Sequence, residues 1–185
     1  MLKDIVVHVD DEQLARAPAR LAAGLAARHK AQLLGVHCLN MPSLPSFVDV
    51  EIPDSVRRAQ HEMFEHAAEA AHRTFVAACE EAGTTGEWQC ETGSPAHLLA
   101  RHAMVADLVI VRRTKADSAG QMPASLAGDL VLGSRRPALV VPPEWEGSDL
   151  AGPITVAWNG TPESARALSD ALPLLAGAAA AHVVW

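Results

Sequence analysis

Residues 4–11, Asp4-Ile5-Val6-Val7-His8-Val9-Asp10-Asp11, pass within eight positions from an apolar, β-branched run to a pair of acids. Ile5 to Val9 reads as a strand, because side chains branched at Cβ suit an extended, packed backbone. Working outward, residues 12–30 carry Leu14, Leu21 and Leu25 at helical spacing, and Pro18 places a kink there or a late helix start near Ala17. Gln32 to Cys38 (QLLGVHC) is a second strand, and the loop after it holds Pro42, Pro45 and Pro53. Asp54 is expected to cap a long helix running to Glu81 and stopped at Gly83. Its apolar face reads Val56, Met63, Phe64, Ala67, Ala71, Phe75 and Ala78.

Glu87 to Glu91 is a third strand, and Ser94-Pro95 opens a helix reaching about Met104. Leu108 to Val111 is unbroken and apolar, as a strand covered on both faces should be. A short helix over Ser125–Leu132 and a fifth strand over Ala138–Val141, ended by Pro142-Pro143, complete the pattern. Strands alternating with helices predict an α/β fold, an open, doubly wound, five-stranded parallel sheet over residues 1–143. After a linker at 144–152, residues 153–185 begin the pattern again. Ile154, Val156 and Asn159-Gly160 lie 149 positions after Ile5, Val7 and Asp10-Asp11. Thr161-Pro162 opens a helix with Ala165, Leu168, Leu172 and Leu175, and Ala180 starts another strand. One βαβ unit leaves its apolar faces largely bare, so the expectation is a partial second repeat from a longer tandem chain.

Composition narrows the function. The chain has 185 residues, of which 49% are hydrophobic and 20% charged, with a net charge of −7. Mean hydropathy is +0.09 and the pI about 5.7. That balance excludes bulk disorder, and the negative field argues against a nucleic-acid partner. The doublets Arg57-Arg58, Arg112-Arg113 and Arg135-Arg136 are too dispersed to reverse it. No apolar run approaches the roughly 20 residues of a membrane span, so no membrane role is expected. Cys38, Cys79 and Cys90 contain no CxxC pair and read as reduced thiols of a cytoplasmic protein.

Ligands of open α/β sheets bind beyond the carboxyl ends of the strands, which selects Asp10, Asp11, Cys38, Gly93 and the segment after Val111. Asp10 is placed either to accept hydrogen bonds from a base or ribose, or as a helix cap or solvated turn acid. Paired acids after a first strand also suit a phospho-receiver. That fold needs an acceptor aspartate after the third strand and a lysine after the fifth, where this chain has Glu91-Thr92 and Pro142-Pro143. The run His61-Glu62-Met63-Phe64-Glu65-His66 imitates a zinc helix, yet its histidines are five apart and point ~140° from each other. His61/Glu65, Glu62/His66 and Glu69/Arg73 read instead as i,i+4 partners on a wet face. His8 and His37 on neighbouring strands lack a third metal ligand. No Gly-x-Ser-x-Gly elbow and no phosphate-binding glycine motif occurs, and Cys38 and Cys90 have no evident base.

These strings, in this order, resemble the universal stress protein family across nearly the whole chain. Asp4–Asp10 is similar to the family's first strand and Leu33-Leu34-Gly35-Val36-His37-Cys38 to its second. Glu91-Thr92-Gly93-Ser94-Pro95 with Ala106–Val111 resembles the third strand, helix and fourth strand, and Arg136–Pro142 the closing strand. Ala157–Leu168 resembles the start of a second domain in the tandem branch. The resemblance implies an adenine-nucleotide-hydrolase-like fold. It also implies an ATP motif, Gly-x2-Gly-x9-Gly-Ser/Thr, after the fourth strand.

The motif's positions fall on Val111, Thr114, Ala124 and Ser125, and only the serine survives. Side chains at the glycine positions obstruct backbone N–H groups that would close on phosphates, and Pro123 removes a donor. The candidate nucleotide-binding residues are therefore Asp10, Cys38, Thr114 and Ser125, with no metal and no catalytic residue. The expectation is a non-catalytic binding or regulatory module of the stress response that needs no cofactor and binds ATP weakly or not at all. It is also expected to form a homodimer through the fifth-strand edge, residues 137–142. The alternative is an ATP-binding member with slow hydrolysis that uses Asp10 as metal ligand or base. A third is that residues 144–185 leave the chain an unstable fragment.

Overall fold

A computed structural model describes residues 1–10, 14–40, 53–113, 126–147 and 149–185. Strand β1 (Asp4–His8) leads to helix α1 (Arg16–His29), β2 (Gln32–Leu39), α2 (Asp54–Ala82), β3 (Glu87–Thr92), α3 (Pro95–Ala103), β4 (Leu108–Arg112), α4 (Leu126–Ser134) and β5 (Ala138–Val141). The five strands form one parallel sheet in the order β3-β2-β1-β4-β5. This is the expected open, doubly wound arrangement.

Alternation along the strands divides the core. Ile5, Val7, Val9, Leu33, Leu108 and Ile110 pack with the alanine-rich faces of α1 and α2. Val6, Val36, Val109 and Val111 pack with Leu99 and Ala103 of α3 and Leu130 of α4. Alanine lets the helices lie close to the sheet, and Phe75 of α2 is among the largest fully buried side chains. Opposite it β2 carries Gly35, where a Cβ would stand 2.7 Å from the Phe75 ring. The strand therefore needs glycine at that point.

Helix ends follow local chemistry. The α1 start at Arg16 puts Pro18 in the first turn, where its missing N–H costs nothing. Gly83 ends α2 in the left-handed conformation, φ 64°. Two expectations need correction. Asp54 is the first helical residue and pairs with Arg57, while Pro53 occupies the cap position. Ser94 sits at the α3 cap, but its side chain makes no capping hydrogen bond. Among the described residues the wet face of α2 carries His61–Glu65 at 3.2 Å and Glu69–Arg73 at 4.0 Å, and no ion pair joins Glu62 to His66.

Beyond the sheet, β6 (Pro153–Ala157), α5 (Pro162–Leu175) and β7 (Ala180–Val184) form a parallel pair bridged by a helix. This is the same order as β1-α1-β2. Thr161 caps α5, accepting from the Ser164 N–H at 3.3 Å. No residue of α5 is buried and all five of β7 are exposed, although Leu174 packs against the α1–α2 core.

Candidate functional site: the crevice at the β1–β4 switch point

The sheet order reverses between β1 and β4: from β1 the chain winds to β2 and β3 on one side, then crosses to β4 and β5 on the other. A crevice at such a switch point, outside the carboxyl ends of the strands, is where folds of this class bind ligands. The register Val7↔Ile110 brings Asp10, just past β1, and Arg112, the last residue of β4, to its two sides.

They meet. Arg112 Nη2 donates to Asp10 Oδ2 at 2.7 Å, with 14% of the arginine side chain and 25% of the aspartate side chain exposed. An ionised pair this sheltered is held more firmly than a surface pair. Among the described residues no protein atom hydrogen-bonds Asp10 Oδ1, Arg112 Nε or His8 Nε2, all of them buried. The pair was not legible in the sequence, where Arg112 stood in an exposed-looking basic doublet. The available signal was that Arg112 ends an apolar strand pairing with the strand that leads to Asp10.

His8 lies on the same face of β1 as Asp10. Burial pushes its pKa down to about 4, assisted by the nearby His37 and Arg112, while the Asp10 charge works the other way. The ring is therefore neutral at physiological pH. His37 faces the α2 side, where its Nδ1–H donates to the Val9 carbonyl at 2.6 Å and its ring stacks on Trp88. That bond fixes the tautomer, because a carbonyl can only accept.

Cys38 projects from the same face of the sheet as Val36, toward α3, and is half-buried. Burial pushes its thiol up to about 12, and the Glu91, Cys90 and Asp10 charges add to this. A thiol so placed is not a nucleophile at neutral pH. Glu91, in register with Cys38, accepts from His102 and Arg101, which hold its carboxyl below the ordinary glutamate range. Val111, the residue that the resemblance sets at the first glycine of the ATP motif, is fully buried in the core. Asp11, Thr114, Ala124 and Ser125 lie outside the described residues. The structure thus brings Asp10 and Cys38 to one edge and adds Arg112 and His8. No group of three or more metal-ligating side chains occurs among the described residues.

Two clefts lie elsewhere. One of 470 Å³ opens at the opposite edge beside Asp4, Lys30 and His102. Another of 770 Å³ lies between α1, α2 and Trp145.

A parallel sheet of this order, with helices on both faces, defines an open, doubly wound α/β domain. Residues 1–142 match the model of the universal stress protein family, and the chain belongs to that family. Among solved structures it is similar to a universal stress protein in complex with cAMP, at 23% identity over 76% of this chain and 97% of that one, with a TM-score of 0.57. The corresponding figures for a universal stress protein of Lactobacillus plantarum are 18%, 75%, 97% and 0.55. One from Archaeoglobus fulgidus DSM 4304 is matched over 97% of this chain but 64% of its own length, at 12% identity and a TM-score of 0.67. No curated protein sequence matches the chain. Among the described residues no helix is long and apolar enough to cross a membrane.

Proposed function

We propose that the protein is a non-catalytic binding and regulatory member of the universal stress protein family, acting in the cytoplasm, whose ATP site is degenerate. The observation that carries this reading is the inert state of the titratable groups at the crevice. Asp10 is engaged by Arg112, His8 is held neutral, and the Cys38 thiol is held protonated. General acid–base or nucleophilic chemistry needs a group poised near the working pH, and neither His8 nor Cys38 is. The cAMP complex of a related fold favours a nucleotide as the ligand class. Val111, filling the first glycine position, favours weak retention of its phosphates. A turnover assay with ATP and magnesium is expected to show no release of phosphate above buffer. Metal-dependent turnover lost in Asp10→Asn would instead establish the hydrolase alternative.

The partner is a second copy. β5 pairs with β4 alone among the described strands, leaving its other edge open. On the adjacent α4, Leu132 is 81% exposed beside Val131. An unpaired edge flanked by apolar side chains favours association through residues 137–142. Light scattering at micromolar concentration is expected to give the dimer mass, and Leu132→Glu to shift it toward monomer. A monomeric wild-type protein would rule the interface out. Residues 153–185 are read as the beginning of a second repeat, supported by their shared order with β1-α1-β2 and the near-complete overlap with the longer archaeal structure.

A further inference from the structure

We propose that Arg112 is the specificity-determining residue of the switch-point crevice, holding the Asp10 carboxylate away from any neutral nucleoside. The inference rests on the reading that Asp10 lies at the base end of a nucleotide site, and it names the residue that controls admission there. Asp10 Oδ2 is already bonded to the guanidinium, and Oδ1 is buried without a hydrogen-bond partner among the described residues. A ribose hydroxyl or base amino group can therefore reach the carboxylate only after the ion pair opens. Opening it leaves a guanidinium without a partner in a largely sheltered place, a penalty that a neutral ligand cannot offset with a charge of its own.

The pair also spans from the end of β1 to the end of β4, tying together the two strands between which the sheet order reverses. His8 adds to the same effect. Its neutral ring and unbonded Nε2 sit on the Asp10 side. Once the arginine is gone, the carboxylate and the imidazole are two hydrogen-bonding groups on one face of β1 without a partner among the described residues.

Adenosine is the probe, because it carries the base and ribose and none of the phosphates that the altered glycine positions would affect. Calorimetry with the full chain is expected to show no saturable heat for the wild type at about 1 mM adenosine, a Kd beyond the millimolar range. Arg112→Met keeps the length of the stem and removes the charge. It is expected to bind adenosine at least tenfold more tightly than the wild-type limit, and adding Asp10→Asn is expected to abolish the gain. A merely structural role for Arg112 predicts no gain of binding in either variant. Arg112→Leu repeats the test if the methionine variant melts near the assay temperature. Either variant, folded by circular dichroism and with wild-type affinity for adenosine, overturns the inference and leaves the degenerate-site reading standing. Micromolar ATP binding by the wild type overturns that reading itself, whatever the adenosine series gives.

Discussion

Phe75→Ala is expected to lower the stability of the sheet domain by about 3–5 kcal/mol, the range found when a fully buried aromatic ring is truncated. Phe75 is 1% exposed and is among the largest fully buried side chains. Its ring lies 5.5 Å from that of Trp88 and fills the space over Gly35 and Gly86, neither of which has a side chain that can move in. On that side the neighbouring surface is backbone and the Trp88 indole, which limits collapse of the cavity. A loss of that size is a large part of the roughly 5–15 kcal/mol that keeps a domain folded. Urea unfolding, comparing midpoints at equal slope, measures it. A loss under about 1 kcal/mol would mean that α2 does not pack on β2 through this ring. The crevice depends on the same contact, because β2 carries Cys38 and His37 at its far end.

The second large effect is on acid stability. His8 has a folded pKa of about 4 against an ordinary 6.5. Between those values the unfolded chain binds the proton and the folded one does not, so stability rises with pH through that window. The stabilisation is fully present above about pH 6.5 and is lost as the pH falls toward 4. At 1.36 kcal/mol per pH unit this amounts to about 3 kcal/mol. Unfolding at about pH 7 and about pH 4.5 should show the drop in the wild type and a much smaller one in His8→Val, which places a strand-favouring apolar residue in the same slot. Glu91 contributes to acid sensitivity at lower pH, since its depressed pKa gives stability that is lost only as its own carboxyl protonates. An unchanged pH dependence in His8→Val would show that the ring is not held neutral by burial.

The sequence discloses the fold because its strands are short, apolar and β-branched, while its helices carry alanine and leucine at the spacing of one buried face. Leu108–Val111 could be assigned to the sheet interior from its unbroken run alone, and β4 does pair on both sides. Boundaries were less visible. Pro53 and Asp54 both suit a helix start, and only the backbone distinguishes the cap from the first turn. The position of Asp10 and Cys38 at the ligand edge follows from strand polarity, a one-dimensional property. Their chemical state does not. The Asp10–Arg112 pair joins residues 102 positions apart and depends on which strand neighbours β1. The neutral His8 and the unreactive Cys38 depend on how much water the packed helices exclude, which no local motif records. Arg112-Arg113 illustrates the difficulty: one arginine turns inward to Asp10, while the next is well exposed and 3.8 Å from Glu144.

Calorimetric titration of ligand-stripped protein with ATP and magnesium is the most direct test of the central claim that this family member has kept the cleft and lost its hold on the nucleotide. The account predicts no measurable heat and no thermal stabilisation at about 1 mM ATP, where even a millimolar Kd would give only a few tenths of a kcal/mol. Saturable micromolar binding would contradict it, showing that Val111 and the Asp10–Arg112 pair leave a working nucleotide site.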